Sequence, residues 1–79
     1  ASFGIELYPN PTSDIVTINL NSDKKAQLSI FSSDGRLLDY KKNVSHEAKY
    51  NFAKYPAGKY IVSLSIDNKV VFSQTVIKQ

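Results

Sequence analysis

Seventy-nine residues make one domain, too small to wall off the deep cleft that catalysis usually needs. The absence of cysteine excludes a disulfide framework, a thiolate metal site and a thiol nucleophile, so packing alone must hold the fold. Nine Lys and one Arg against seven acids leave a net charge of +3, but the lysines are scattered, as on a solvated surface and unlike a nucleic-acid site.

Apolar residues alternate with period two along almost the whole chain, the signature of strands with one buried face. The first predicted strand is Gly4 to Tyr8, with Ile5 and Leu7 on one side. Asp14 to Leu20 follows, with Val16, Ile18 and Leu20 inward, and then Lys25 to Phe31, with Ala26, Leu28 and Ile30 inward. Gly35 to Lys41, Ala48 to Phe52, Lys59 to Ile66 and Lys69 to Ile77 complete seven strands. Residues 41–49 are the most polar stretch and read as a mobile loop. Asn43-Val44-Ser45 within it matches a glycosylation acceptor pattern so short that chance supplies it often.

Turn chemistry agrees with these boundaries. Ser33-Asp34-Gly35 carries residues that tolerate positive φ, and Tyr55-Pro56-Ala57-Gly58 has Pro to preset φ and Gly to close the turn. Asp67-Asn68 joins the last two strands. A two-residue connection there pairs Leu64 with Val71. A three-residue one pairs Leu64 with Phe72 and sets Val70, Phe72 and Val76 against Tyr60, Val62 and Leu64, which favours the second register. Seven short strands at this spacing predict an all-β fold, a two-sheet antiparallel sandwich of immunoglobulin-like type. Tyr60, just after the Gly58 turn, stands where such folds place a Tyr whose hydroxyl ties back to the corner; a plain β-former on a half-buried face explains it equally well.

Nothing in the chain assembles into chemistry. His46 is the single histidine, and its neighbours Ser45 and Glu47 point in alternating directions on an extended segment, so they form no triad with it. The acids sit mostly at strand ends and turns, where they cap and solvate, and no carboxylate-rich loop offers a metal site. No catalytic residue, cofactor or metal is expected. A glycan platform needs exposed rings; Trp is absent, and the five tyrosines lie in the alternating pattern or beside Pro, which suits packing. No apolar run reaches the ~20 residues of a membrane helix, and no charged-then-apolar leader opens the chain, so a targeting peptide is expected elsewhere in a longer parent.

Three stretches in order carry a resemblance. They are Leu7-Tyr8-Pro9-Asn10-Pro11-Thr12-Ser13-Asp14, then Leu28-Ser29-Ile30-Phe31-Ser32-Ser33-Asp34-Gly35-Arg36-Leu37-Leu38, then Tyr55-Pro56-Ala57-Gly58-Lys59-Tyr60-Ile61-Val62, with the chain closing on Val76-Ile77-Lys78-Gln79. Together, across essentially the whole chain, they resemble the type IX secretion system C-terminal sorting domain of Bacteroidetes-type bacteria. That resemblance implies a non-catalytic address, recognised by the outer-membrane translocon and in many relatives removed by a surface sortase that joins the cargo to anionic lipopolysaccharide. It also implies passage through the periplasm to the outer-membrane surface or beyond, with residues 1–79 as one sorting domain and 1–3 as a linker remnant.

Physically, the motif residues read first as fold-makers. Pro9, Asn10 and Pro11 make a stiff corner, because residues before proline are pushed to extended geometry and Asn turns the backbone through its side chain. Asp34, Gly35, Gly58 and Tyr60 serve their turns. The recognised residues are therefore expected in the last strand, at Val76, Ile77, Lys78 and Gln79, read by shape, main-chain pairing or the Lys78 charge. The competing readings are a retained surface module binding protein or lipopolysaccharide and, more weakly, a glycan-binding adhesive domain. Pairing of copies through an edge strand, Gly4 to Tyr8 or Lys69 to Ile77, is open.

Overall fold

The computed structural model describes residues 5–8, 13–20 and 24–79. Seven strands run in sequence: β1 (Glu6–Tyr8), β2 (Ile15–Asn19), β3 (Ala26–Ser32), β4 (Leu37–Val44), β5 (Glu47–Asn51), β6 (Gly58–Ile66) and β7 (Lys69–Lys78). They form two antiparallel sheets, β1-β2-β5 and β4-β3-β6-β7. Among the described residues there is no helix. Gly4 and the Pro9-Asn10-Pro11 corner lie outside them.

The alternation in the sequence becomes the core. Val16, Ile18 and Leu20 of the first sheet and Leu28, Ile30, Val62, Leu64 and Val76 of the second are at most 2 % exposed and share one apolar layer with Phe52. Burying each such aliphatic side chain is worth about 1.5–3 kcal/mol, which a chain without disulfides needs.

Residues 41–49, expected as a mobile loop, are mostly strand. β4 runs to Val44 and β5 begins at Glu47, so Ser45 and His46 are the whole crossover between sheets. A bulge is the reason. Between the pairs Ala26↔Val44 and Leu28↔Lys41, β4 carries one residue more than β3, and Asn43 takes a φ of 60°. The bulge turns Val44 into the core at 8 % exposure while its neighbours stay in water, which breaks the period-two signal. The crossover is pinned by the Leu20 amide, which donates to the His46 carbonyl at 2.7 Å.

The β6–β7 hairpin reconciles the two registers weighed from sequence. Its loop is the two residues Asp67 and Asn68, with φ of 53° and 65°, as a tight hairpin turn with two left-handed positions requires. Pairing starts as Ile66↔Lys69 and Ser65↔Val70, then jumps to Leu64↔Phe72, leaving Val71 as a bulge. The Leu64–Phe72 pairing expected from a three-residue loop is thus reached by a two-residue loop plus one bulged residue. Val70, expected to face inward, is 66 % exposed.

Candidate functional site

The four tail residues singled out from sequence stand in unequal places. β7 pairs along β6 to its end, as Tyr60↔Val76, Lys59↔Ile77 and Gly58↔Lys78. Val76 is fully buried, and Lys78 is half-buried on the same face. Ile77 is 44 % exposed on the opposite face, and Gln79 is exposed. A partner reading side chains on the folded domain therefore meets Ile77 and Gln79, while Val76 anchors the strand. The pairing also joins two features that the sequence keeps nearly twenty residues apart: the Gly58–Tyr60 motif is the template on which the tail lies.

That template is fixed by aromatic packing. Tyr50 is the penultimate residue of β5, Phe52 stands just past the strand, and Tyr55 and Tyr60 flank the turn into β6. Phe52 sits at the centre, its ring 5.0 Å from Tyr50, 5.9 Å from Tyr55 and 5.4 Å from Tyr60, while Tyr55 and Tyr60 stack at 5.4 Å. These separations suit edge-to-face and stacked pairs, each worth about 0.5–1.5 kcal/mol beyond area burial. The Tyr60 hydroxyl donates to the Pro56 carbonyl, tying strand to corner. Gly58 has a φ of 156°, a conformation that disfavours side-chained residues, although a Cβ there would meet nothing within 4 Å; backbone, not space, selects glycine.

A polar clamp continues from this cluster across the side of the sandwich between β4 and β5. The Tyr50 hydroxyl donates to Asp39 Oδ2 at 2.7 Å, and because its one proton is committed there, Tyr55 donates to Tyr50 at 2.7 Å. Lys54 Nζ lies 3.7 Å from Asp39 Oδ2 and 5.3 Å from the Tyr55 ring centre, while Lys41 Nζ lies 5.5 Å from that of Tyr50. The Tyr50 hydrogen bond, then that from the Tyr40 amide, hold the Asp39 carboxyl below its ordinary value, with Lys54 and Lys41 adding attraction. Burial first, then the bonds to Tyr55 and Asp39, push the Tyr50 phenol up. Asp39, expected among the acids that cap and solvate, is a mid-strand residue joining the two sheets. The density of tyrosines from 50 to 60 is the sequence signal of this clamp.

At the β3–β4 turn, Gly35 takes a φ of 91° and its amide donates to the Ser32 carbonyl at 2.9 Å. The Ser32 hydroxyl donates to Asp34 and lowers its carboxyl; the Arg36 amide donates back to Ser32 Oγ at 3.1 Å. These contacts are internal to the turn. His46 is exposed, and among the described residues no three His, Asp or Glu side chains converge as metal ligands would. The two most exposed tyrosines, Tyr8 and Tyr40, lie on the outer faces of different sheets, so they build no common ring platform. No helix is long and apolar enough to cross a membrane among the described residues.

Residues 6–79 match the family described as the secretion system C-terminal sorting domain. The chain is also similar to an ulvan lyase of Nonlabens ulvanivorans, 35 % identical over 79 residues; the match covers 98 % of this chain and 14 % of that protein.

Proposed function

The chain belongs to the secretion system C-terminal sorting domain family of type IX secretion, and from this premise we propose that it is a non-catalytic sorting signal read by the type IX outer-membrane translocon through its last strand. The observation that carries this reading is the family match over residues 6–79 in a domain whose described side chains serve packing and turns. A sorting tail directs its parent to the cell surface or the extracellular space. Ile77 and Gln79 are the tail side chains presented to a receptor, Lys78 adds a half-buried positive charge, and Val76 keeps the strand in register. Asp34, Gly35, Gly58 and Tyr60 act as fold-makers. Removal of the domain by a surface sortase, with transfer of the cargo to anionic lipopolysaccharide, is the downstream event this reading supports.

The sandwich is of immunoglobulin-like type on this account. Its strand order, β1-β2-β5 facing β4-β3-β6-β7, and the Tyr60 tie to Pro56 support that assignment. The test of function is export of a reporter carrying this domain at its C-terminus in a strain with this route. Deleting Val76 to Gln79 should abolish export, and unchanged export would contradict the proposal. The alternative, a retained surface-interaction module, predicts that protein on the cell still carries the domain, which intact-mass analysis reads directly.

A further inference from the structure

The two outer faces of the sandwich differ in kind. On the three-stranded sheet, cross-strand rows read Glu6–Asn19–Glu47, Tyr8–Thr17–Lys49 and Ile15–Asn51, so charges stand within the face among the exposed Tyr8 and Ile15. On the four-stranded sheet the rows across β4, β3 and β6 read Leu37–Phe31–Ile61 and Tyr40–Ser29–Ser63. Leu37 is 54 % and Tyr40 42 % exposed, Phe31 and Ile61 are half-buried, and Ser63 is sunk between its neighbours at 8 %. Charge enters at the margin, at Lys42, whose ammonium lies 6.0 Å from the Tyr40 ring centre, and at Lys59. An uncharged centre of apolar and small residues with a charged rim is the composition of a protein docking patch.

From this we infer that the outer face of the four-stranded sheet docks a protein of the export machinery, one presenting an apolar patch with carboxylates at its rim. The inference rests on the sorting reading above and extends the tail contact across the sheet, because Ile77, paired with Lys59, lies on this same outer face. Charge sets the partner's sign, because Lys42 and Lys59 attract an acidic rim, whereas two copies of this chain, each at +3, would bring like charges together. Size sets its lifetime. With strands ~4.8 Å apart and ~6.8 Å per outward residue pair, two rows across three strands span roughly 200 Å², well under the ~800 Å² per partner of a stable interface. A contact of that size is released as readily as it forms, as a passing cargo requires, and is too small to hold a dimer.

The test uses the reporter fusion in the exporting strain, with a photo-crosslinking residue placed at position 61 or, for comparison, at position 17 on the other face. A crosslink to an outer-membrane protein from position 61 and none from 17 is expected. In the same strain Ile61→Glu, and separately Lys42→Glu with Lys59→Glu, should lower the exported fraction at least tenfold, with Thr17→Glu exporting normally. Melting of each purified domain identifies any variant that fails to fold; the paired lysine change, made at exposed positions, decides the matter if Ile61→Glu does. Normal export by folded Lys42→Glu/Lys59→Glu, while deletion of Val76 to Gln79 blocks export, would overturn this inference and leave the sorting reading standing. Normal export after that deletion would remove the sorting reading and this inference with it. A purified domain that sediments as a dimer, and becomes a monomer on Ile61→Glu, would assign the face to a second copy instead and overturn the inference.

Discussion

The Gly58–Tyr60 corner and the Val76–Lys78 end of the tail are register partners, yet they are held in different ways. The corner is constrained through side chains: Tyr60 is 6 % exposed, its ring lies against Phe52 and Tyr55, and its hydroxyl is bonded to Pro56. The tail is held by pairing to that corner and by Val76, the one tail side chain wholly inside. The difference separates two tasks that the backbone joins. Side chains of the corner make the fold, and the fold presents the outward side chains of the tail. Changes on the corner should therefore move stability first, and changes on the tail's outer side should move recognition with little effect on stability.

The largest effect should come from Phe52→Ala, which empties the centre of the aromatic cluster. A loss of about 3–5 kcal/mol is expected. In a domain of this size that lowers the melting midpoint by about 4–8 °C per kcal/mol, so the variant should be largely unfolded in a calorimetric scan at physiological temperature. Val76→Ala should cost about 2 kcal/mol from lost burial and a small cavity, and should free the tail to faster amide exchange than the rest of β7. That local signature distinguishes an anchor from an ordinary core residue.

Tyr60→Phe keeps the ring and removes only the bond to Pro56, so a loss of about 1 kcal/mol is expected from chemical denaturation. Asp39→Asn weakens the link from β4 to β5 by a similar or smaller amount, because the side chain is 32 % exposed and solvent screens it. It also has a pH signature. A carboxyl whose pKa is lower folded than unfolded stabilises the fold above its ordinary value of 3.8 and loses that contribution as pH falls through the lowered value. The stability of the native domain should thus begin to drop below pH 3.8 and go on dropping through the lowered value, and the drop should shrink in Asp39→Asn. An equal acid slope in both would contradict the clamp.

Most of the sandwich was legible in the sequence because burial on one face writes itself as alternation. Val16, Ile18, Leu20, Ala26, Leu28 and Ile30 all fall inside as the period-two pattern required. The pattern failed where an extra residue breaks the period. The Asn43 bulge concealed the end of β4, and the Val71 bulge made the right pairing of Leu64 look like a longer loop. The clamp was illegible for another reason. Asp39, Tyr50, Lys54 and Tyr55 come from two strands and a turn in different sheets, and local sequence says nothing of which side chains meet when the sheets close. The tail was legible as a motif, but its division into anchor and presented residues came only with the register against β6.

The separation of tasks is tested most directly by exporting two reporter fusions side by side, at a temperature well below both melting midpoints. One carries Tyr60→Phe in the corner, and the other carries Ile77→Ser with Gln79→Ala on the tail. The tail pair should stay within about 0.5 kcal/mol of the parent, as surface changes usually do, yet export at least tenfold less. Tyr60→Phe, although less stable, should export as the parent does. Full export by the folded tail pair, or loss of export in a folded Tyr60→Phe, would contradict the claim that the corner makes the fold and the tail carries the signal.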